Sequence, residues 1–192
     1  MGNIYSYPFP NPSSYPIIKD YEAAGVLFID DKHFLAGYQP KKRWPCITGI
    51  GGAKEEGDKG YVCTAFRELF EELFDWKSPA PSLLKRIAAE IQPTAVFQND
   101  SYVSIALSFK DLEKILSAAR RESSRSPFYD KFPMTTWELI RNRKILADAE
   151  VQQLLLLPIV KGSTGKLNLT IHSELLDDVK LYVQKRGAEK QG

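Results

Sequence analysis

Apolar residues come in two rhythms along this chain. Compact runs bounded by turn residues predict strands: AAGVLFID at Ala23–Asp30, its expected hairpin partner HFLAGYQ at His33–Gln39, and a short glycine-broken strand, CITGIGGA, at Cys46–Ala53. LLKRIAAEIQPTAVFQ (Leu83–Gln98) and the alternating SYVSIALSF (Ser101–Phe109) read as further strands, as does VQQLLLLPIV (Val151–Val160), with a turn at Gln98–Asp100. The helical period appears at Lys59–Phe74, where Val62, Ala65, Phe66, Leu69 and Leu73 form one stripe with Phe70 at its edge. Lys110–Arg121, Thr135–Lys144 and Ile171–Lys185 are the other expected helices; the last turns Leu175, Leu176, Val179, Tyr182 and Val183 inward, with Thr170 or Ser173 as its cap. Residues 1–20, rich in Pro, Ser and Tyr, lack either period and read as an irregular arm whose tyrosines pack on something. Strands with interspersed helices and no internal repeat imply an α/β or α+β fold in one domain over residues 21–188.

The acidic positions of the Lys59–Phe74 helix change this picture. Glu68, Glu71 and Glu72 stand at i, i+3 and i+4, so their side chains are neighbours and repel by roughly 0.2–0.5 kcal/mol per pair. They also crowd the negative end of the helix dipole. A hard divalent cation such as Mg²⁺, which takes oxygen ligands, would offset both costs. Just upstream, Gly49, Gly51 and Gly52 let the backbone approach a ligand closely, offering a carbonyl to a metal or an N–H to a phosphate. Glutamates alone suit an ordinary solvated face, and a glycine pair alone suits a turn. The two together, with Arg67 leading the glutamates, point to a metal–phosphate site.

These residues, Gly52-x5-Asp58-x8-Arg67-Glu68-Leu69-x-Glu71-Glu72, resemble the Nudix box, G-x5-E-x7-R-E-U-x-E-E-x-G-U with U apolar. The resemblance implies a Nudix-like α/β/α sandwich with a mixed sheet, in which residues 110–147 form a helical, mildly basic insertion. It implies hydrolysis of a pyrophosphate linkage in a nucleoside diphosphate derivative with Mg²⁺ or Mn²⁺. By position, Glu68, Glu71 and Glu72 are then metal ligands with the carbonyl of Gly51 or Gly52. Arg67 orients the carboxylates through a salt bridge to the first acid of the box. Glu71 or Glu72 can serve as base, and so can a loop residue, with Asp100, Asp148 and Glu150 as candidates. The chain departs from the pattern at Asp58, which replaces Glu one residue early, leaving Glu55 or Glu56 as substitute partners for Arg67. Phe74 replaces the closing glycine and Asp75 the next apolar residue, which removes a glycine from the left-handed C-cap.

Other residues must name the substrate. Lys42 and Arg43 can meet phosphates and Trp44 can stack on a base, alongside Gly51. Arg120, Arg121, Arg125, Lys131, Arg141, Arg143 and Lys144 make the insertion basic, which admits RNA as a partner, an mRNA cap included, beside a small nucleotide. The same helices equally suit a cover over the sheet or a homodimer interface. The alternative from another class is a non-catalytic Nudix domain that binds nucleotide, RNA or a protein; loss of Glu71 or Glu72 would have favoured it, and both are present. A formal net charge of +2 is too small to argue for nucleic acid by itself. No apolar run spans a bilayer, and Cys46 and Cys63 form no disulfide framework, so a reducing, cytoplasmic setting is expected. MGNIYS matches the N-myristoylation pattern at Gly2, for which a chance match is the plainer account.

Overall fold

The computed structural model describes residues 15–41, 45–159 and 170–189. In chain order these form β1 (Ala23–Phe28), β2 (His33–Gln39), β3 (Cys46–Thr48), β4 (Ile50–Ala53), α1 (Tyr61–Phe74), α2 (Pro81–Glu90), β5 (Ala95–Asn99) and β6 (Tyr102–Leu107). There follow α3 (Phe109–Glu122), α4 (Thr136–Arg141), β7 (Gln153–Pro158), β8 (Thr170–Ile171) and α5 (Ser173–Glu189). The strands make two four-stranded mixed sheets, ordered β4-β1-β6-β5 and β7-β2-β3-β8. The fold is mixed α/β, with two sheets where one was expected.

Alternation along the strands of the first sheet explains the layering. Ala24, Val26 and Phe28 of β1 and Val103, Ile105 and Leu107 of β6 join a core with α1, α2 and α3. Leu27 of β1, Ile29 just beyond it and Ala106 of β6 face the other way, into a second core with Phe34, Ala36 and Ile47 of the second sheet and Leu175, Val179 and Tyr182 of α5. The central strands are covered on both faces, so they read as nearly continuous apolar runs.

Three sequence expectations are corrected. β1 and β2 are not a hairpin: β1 pairs with β4 and β6, β2 with β3 and β7, and only the Ile29–Phe34 bridge joins them. CITGIGGA is two strands in different sheets, with Gly49 between them. Leu83–Glu90 is helical: Pro81 starts the first turn, and Leu83, Leu84, Ile87 and Ala88 are buried at helical spacing. Only Ala95–Asn99 of that stretch is a strand, and it forms an antiparallel pair with β6 across a turn where Asp100 has φ 50°.

Helix α3 (Phe109–Glu122) is preceded by a capping box in which its N-cap Ser108 and Asp111 satisfy each other's backbone N–H groups. Of the arm, the described part packs as its tyrosine content suggested: Tyr15 is buried and donates to the Ile91 carbonyl at 3.0 Å. The Gly2 pattern lies outside the described residues. Among the described residues, no helix is long and apolar enough to cross a membrane.

Candidate active site

Helix α1 is the spine of the site. Val62, Ala65, Phe66, Leu69, Phe70 and Leu73 are all buried, each large apolar side chain contributing roughly 1.5–3 kcal/mol to holding the helix against β1 and β4. The anchored helix sets its next face, bearing Glu68, Glu71 and Glu72, beside the glycine strand β4. A Cβ at Gly52 would run into the Glu68 carboxylate, so a side chain there would push Glu68 out of its present position. The Gly51 N–H donates to Glu72 Oε2 at 2.9 Å, so Glu72 is buried as well.

Arg67 is the organising cation. Its Nε and Nη2 donate to Asp58, the latter at 2.9 Å, and Nη2 also donates to the Ala53 carbonyl at 2.7 Å. Nη1 reaches Glu68 Oε1 at 2.7 Å and lies 3.3 Å from Glu55 and 3.7 Å from Glu71. Asp58, although a shorter acid one residue out of place, thus takes the arginine, with Glu55 as an auxiliary. The extra loop residue is absorbed because Asp58 also accepts from the Glu55 N–H and the Thr64 hydroxyl, both at 2.9 Å. Burial pushes the Asp58 carboxyl up, but the Arg67 bonds, with those from Glu55 and Thr64, outweigh it and hold it below its ordinary value.

The C-terminus of α1 also departs from expectation. The left-handed cap is kept without glycine: Asp75 has φ 59° and ψ 33°, its N–H donates to the Glu71 carbonyl, and the Trp76 N–H donates to the Phe70 carbonyl. Asp tolerates this conformation better than most residues. Phe74, in place of the closing glycine, is buried and stacks on Phe132 at 4.9 Å. No basic residue of α1 lies in its last turn, yet the negative end is compensated. Arg143, from the segment after α4, donates to the carbonyls of Leu73 (3.1 Å), Glu72 (2.7 Å) and Val151 (2.6 Å) and lies over the Phe128 ring at 4.1 Å. One guanidinium thereby ties the carboxylate helix to the chain carrying Glu150. Sequence reasoning counted Arg143 only as part of a basic patch. Lys144 pairs with Asp130, and Arg141 lies over Trp137, so this stretch is not a row of free cations.

These elements enclose an open cleft of about 430 Å³ lined by Gly51, Gly52, Ala53, Glu55, Glu68, Glu71, Glu72, Asp75, Asp148 and Glu150, with Lys77 the one basic residue among the described residues of its lining. Burial raises Glu72 well above its ordinary value, helped by Glu150 and Glu68, against the Gly51 N–H and Arg143. Burial also raises Glu68, more than Arg67 lowers it. Gln39 sits between two of the carboxylates, its Nε2 3.0 Å from Glu150 and 3.5 Å from Glu72. Asp148 and Glu150 therefore join the glutamates of α1. Asp100 does not: it is exposed at the β5–β6 turn and lines neither this cleft nor the one on the far side of β4. Lys42, Arg43 and Trp44 lie outside the described residues.

The chemistry of this donor set fits a hard divalent cation, because among the described residues seven carboxyl side chains face a single ammonium, and two of them are held at raised pKa by crowding and burial. Among the described residues, no three His, Cys, Asp or Glu side chains are drawn together tightly enough to hold an ion as they stand. Arg67 takes only Oε1 of Glu68 and the Gly51 N–H only Oε2 of Glu72, so each carboxylate keeps lone pairs for a cation while these bonds hold it in place. Compared with known proteins, the chain matches no family model and no curated sequence.

Proposed function

We propose that the chain is a Nudix-type hydrolase that cleaves a pyrophosphate linkage in a nucleoside diphosphate derivative with Mg²⁺ or Mn²⁺. The observation that carries this reading is the Arg67 hub. It joins Asp58, Glu68 and the Ala53 carbonyl next to a carboxylate-lined cleft, which is the role the box arginine has in that family. Glu68, Glu71 and Glu72, with a carbonyl of Gly51 or Gly52, hold the ion. When bound, it supplies an activated water and neutralises charge on the phosphates.

The chain's own groups do the rest. Arg67 keeps Glu68 oriented, and the Gly51 N–H does the same for Glu72. Glu150, anchored by Gln39 and facing the cleft, takes the proton of the attacking water. Its position favours it over Asp100. Asp148 lines the same cleft and is the second candidate for the base.

The competing reading is a non-catalytic domain that binds nucleotide, RNA or a protein partner. Product release decides between them. The substrates are nucleoside triphosphates, dinucleoside polyphosphates, ADP-ribose, NADH, nucleotide sugars, coenzyme A and cap-labelled RNA, each with Mg²⁺ or Mn²⁺. Metal-dependent turnover that is lost in Glu71→Gln and Glu72→Gln supports the hydrolase. Metal binding without turnover of any substrate favours the binding domain, and absence of metal binding overturns both the ion and the chemistry.

A further inference from the structure

Strand β4 has a second cleft on its far side. It measures about 350 Å³ and is lined by Thr48, Gly49, Gly51, Gly52, Ser101 and Tyr102, with His172 just before α5 and Glu174 and Asp178 within it. Gly51, Gly52 and Ala53 line both clefts, so a ligand lying across β4 reaches α1 at one end and α5 at the other. The two ends differ in chemistry. Among the described residues that line the second cleft there is no lysine or arginine, and Glu22, Glu174 and Asp178 all face it. The charge of these residues disfavours phosphate. What suits it is an uncharged group rich in N–H donors, since ionised carboxylates only accept hydrogen bonds. Tyr102 lies over Gly51, its hydroxyl where a Cβ would stand, and adds an aromatic ring to the lining.

Asp178 is the polar centre of this cleft. It is only 5% exposed, and the Ser104 hydroxyl donates to its Oδ2. Ser104 is itself buried on β6, at an alternate position that points toward α5 rather than toward α1. The carboxylate is therefore held by the floor of the sheet while it lines the cleft, in contrast to the exposed Glu22 and Glu174. A buried carboxylate with a fixed orientation is matched by two adjacent N–H donors. Among the common bases, guanine offers that pair at N1 and N2. Adenine and cytosine place a ring nitrogen lone pair beside their amino group, and uracil flanks its single N–H with two carbonyls; each sets a lone pair against the carboxylate.

We propose that this cleft is the base-reading half of the substrate site and that Asp178, positioned by Ser104, selects guanine. The proposal deepens the nucleotide-hydrolase reading and rests on it for the placement of the phosphates at α1. It is tested with the full chain, without metal, by titrating guanosine, adenosine, cytidine and uridine and following the backbone amide resonances.

Guanosine is expected to shift the amides of Gly49, Gly51 and Gly52 and to bind roughly 10-fold or more tighter than the other three, as a bidentate pair allows. Asp178→Asn, which places an N–H₂ against guanine's donors, is expected to abolish that preference, and Ser104→Ala to weaken it severalfold. Equal binding of the four nucleosides, shifts confined to another surface, or a guanosine preference unchanged in Asp178→Asn would each overturn the proposal. The wild-type comparison stands alone if a variant does not fold. Nucleoside binding requires neither metal nor turnover. Guanosine preference in a protein that hydrolyses nothing would therefore refute only the hydrolase reading, and turnover without guanine preference only this one.

Discussion

Removing the Arg143 guanidinium tests the link between the insertion and the carboxylate helix. Its side chain makes three hydrogen bonds to backbone carbonyls, those of Glu72, Leu73 and Val151, at 2.6–3.1 Å. A hydrogen bond with one charged partner contributes about 1.5–3 kcal/mol, so three would sum to about 4.5 kcal/mol even at the low end. Water entering the vacated space recovers part of this at the carbonyls, while the contact with the Phe128 ring and the compensation of the α1 dipole are lost. The expected cost of Arg143→Ala is therefore about 3–5 kcal/mol. That is a large share of a total stability that is typically about 5–15 kcal/mol. Arg143→Lys should recover less than half of it, because one ammonium cannot span carbonyls from two segments as a planar fork does. Urea unfolding followed by circular dichroism measures both, with the slope checked for constancy. A loss below about 1 kcal/mol in Arg143→Ala would refute the reasoning and return Arg143 to the solvated surface.

Glu72→Gln should stabilise the metal-free protein at neutral pH. The folded-state pKa of Glu72 lies above its unfolded value, so the favourable contribution is complete below the unfolded pKa and is lost as pH rises through the folded one. Thermal unfolding in chelator at pH 5 and pH 7.5 should show a smaller pH difference in the variant, and an unchanged one would contradict the burial argument. If the chain is the proposed hydrolase, Glu150→Gln should lower kcat by about 10²–10⁴-fold while Asp100→Asn leaves it at the wild-type value; single-turnover kinetics would separate the two, and the reverse pattern would sink the choice of base. Asp75→Gly, at the left-handed cap, should raise stability by about 1 kcal/mol in urea unfolding, since glycine adopts this conformation without a Cβ clash and a carboxylate is removed from the negative end of α1.

What the sequence determined by itself was local. The period of α1, its buried stripe and the crowding of Glu68, Glu71 and Glu72 follow from spacing alone, because a helix brings i, i+3 and i+4 together whatever surrounds it. The same holds for α3, α5 and the alternating strand β6, whose side-chain directions are set by their own backbone geometry. The end of α1 was not legible: with no glycine there, Asp75 adopts the left-handed cap while Phe74 and Trp76 pack over the turn.

Tertiary structure decided whatever depends on partners distant in the chain. Strand pairing is one case, since the apolar run at Ala23–Phe28 looks the same in a hairpin as it does between β4 and β6. Leu83–Glu90 is another: a short apolar segment suits strand or helix until a neighbour fixes which side chains are buried. The candidate site followed the same division. The α1 carboxylates and Gly52 were legible, but Arg143, Glu150 over Asp100, and the Ser104–Asp178 pair on the far side of β4 were not. Their partners lie tens of residues away along the chain, and only the packing of α1, β4 and α5 around the two sheets brings them together.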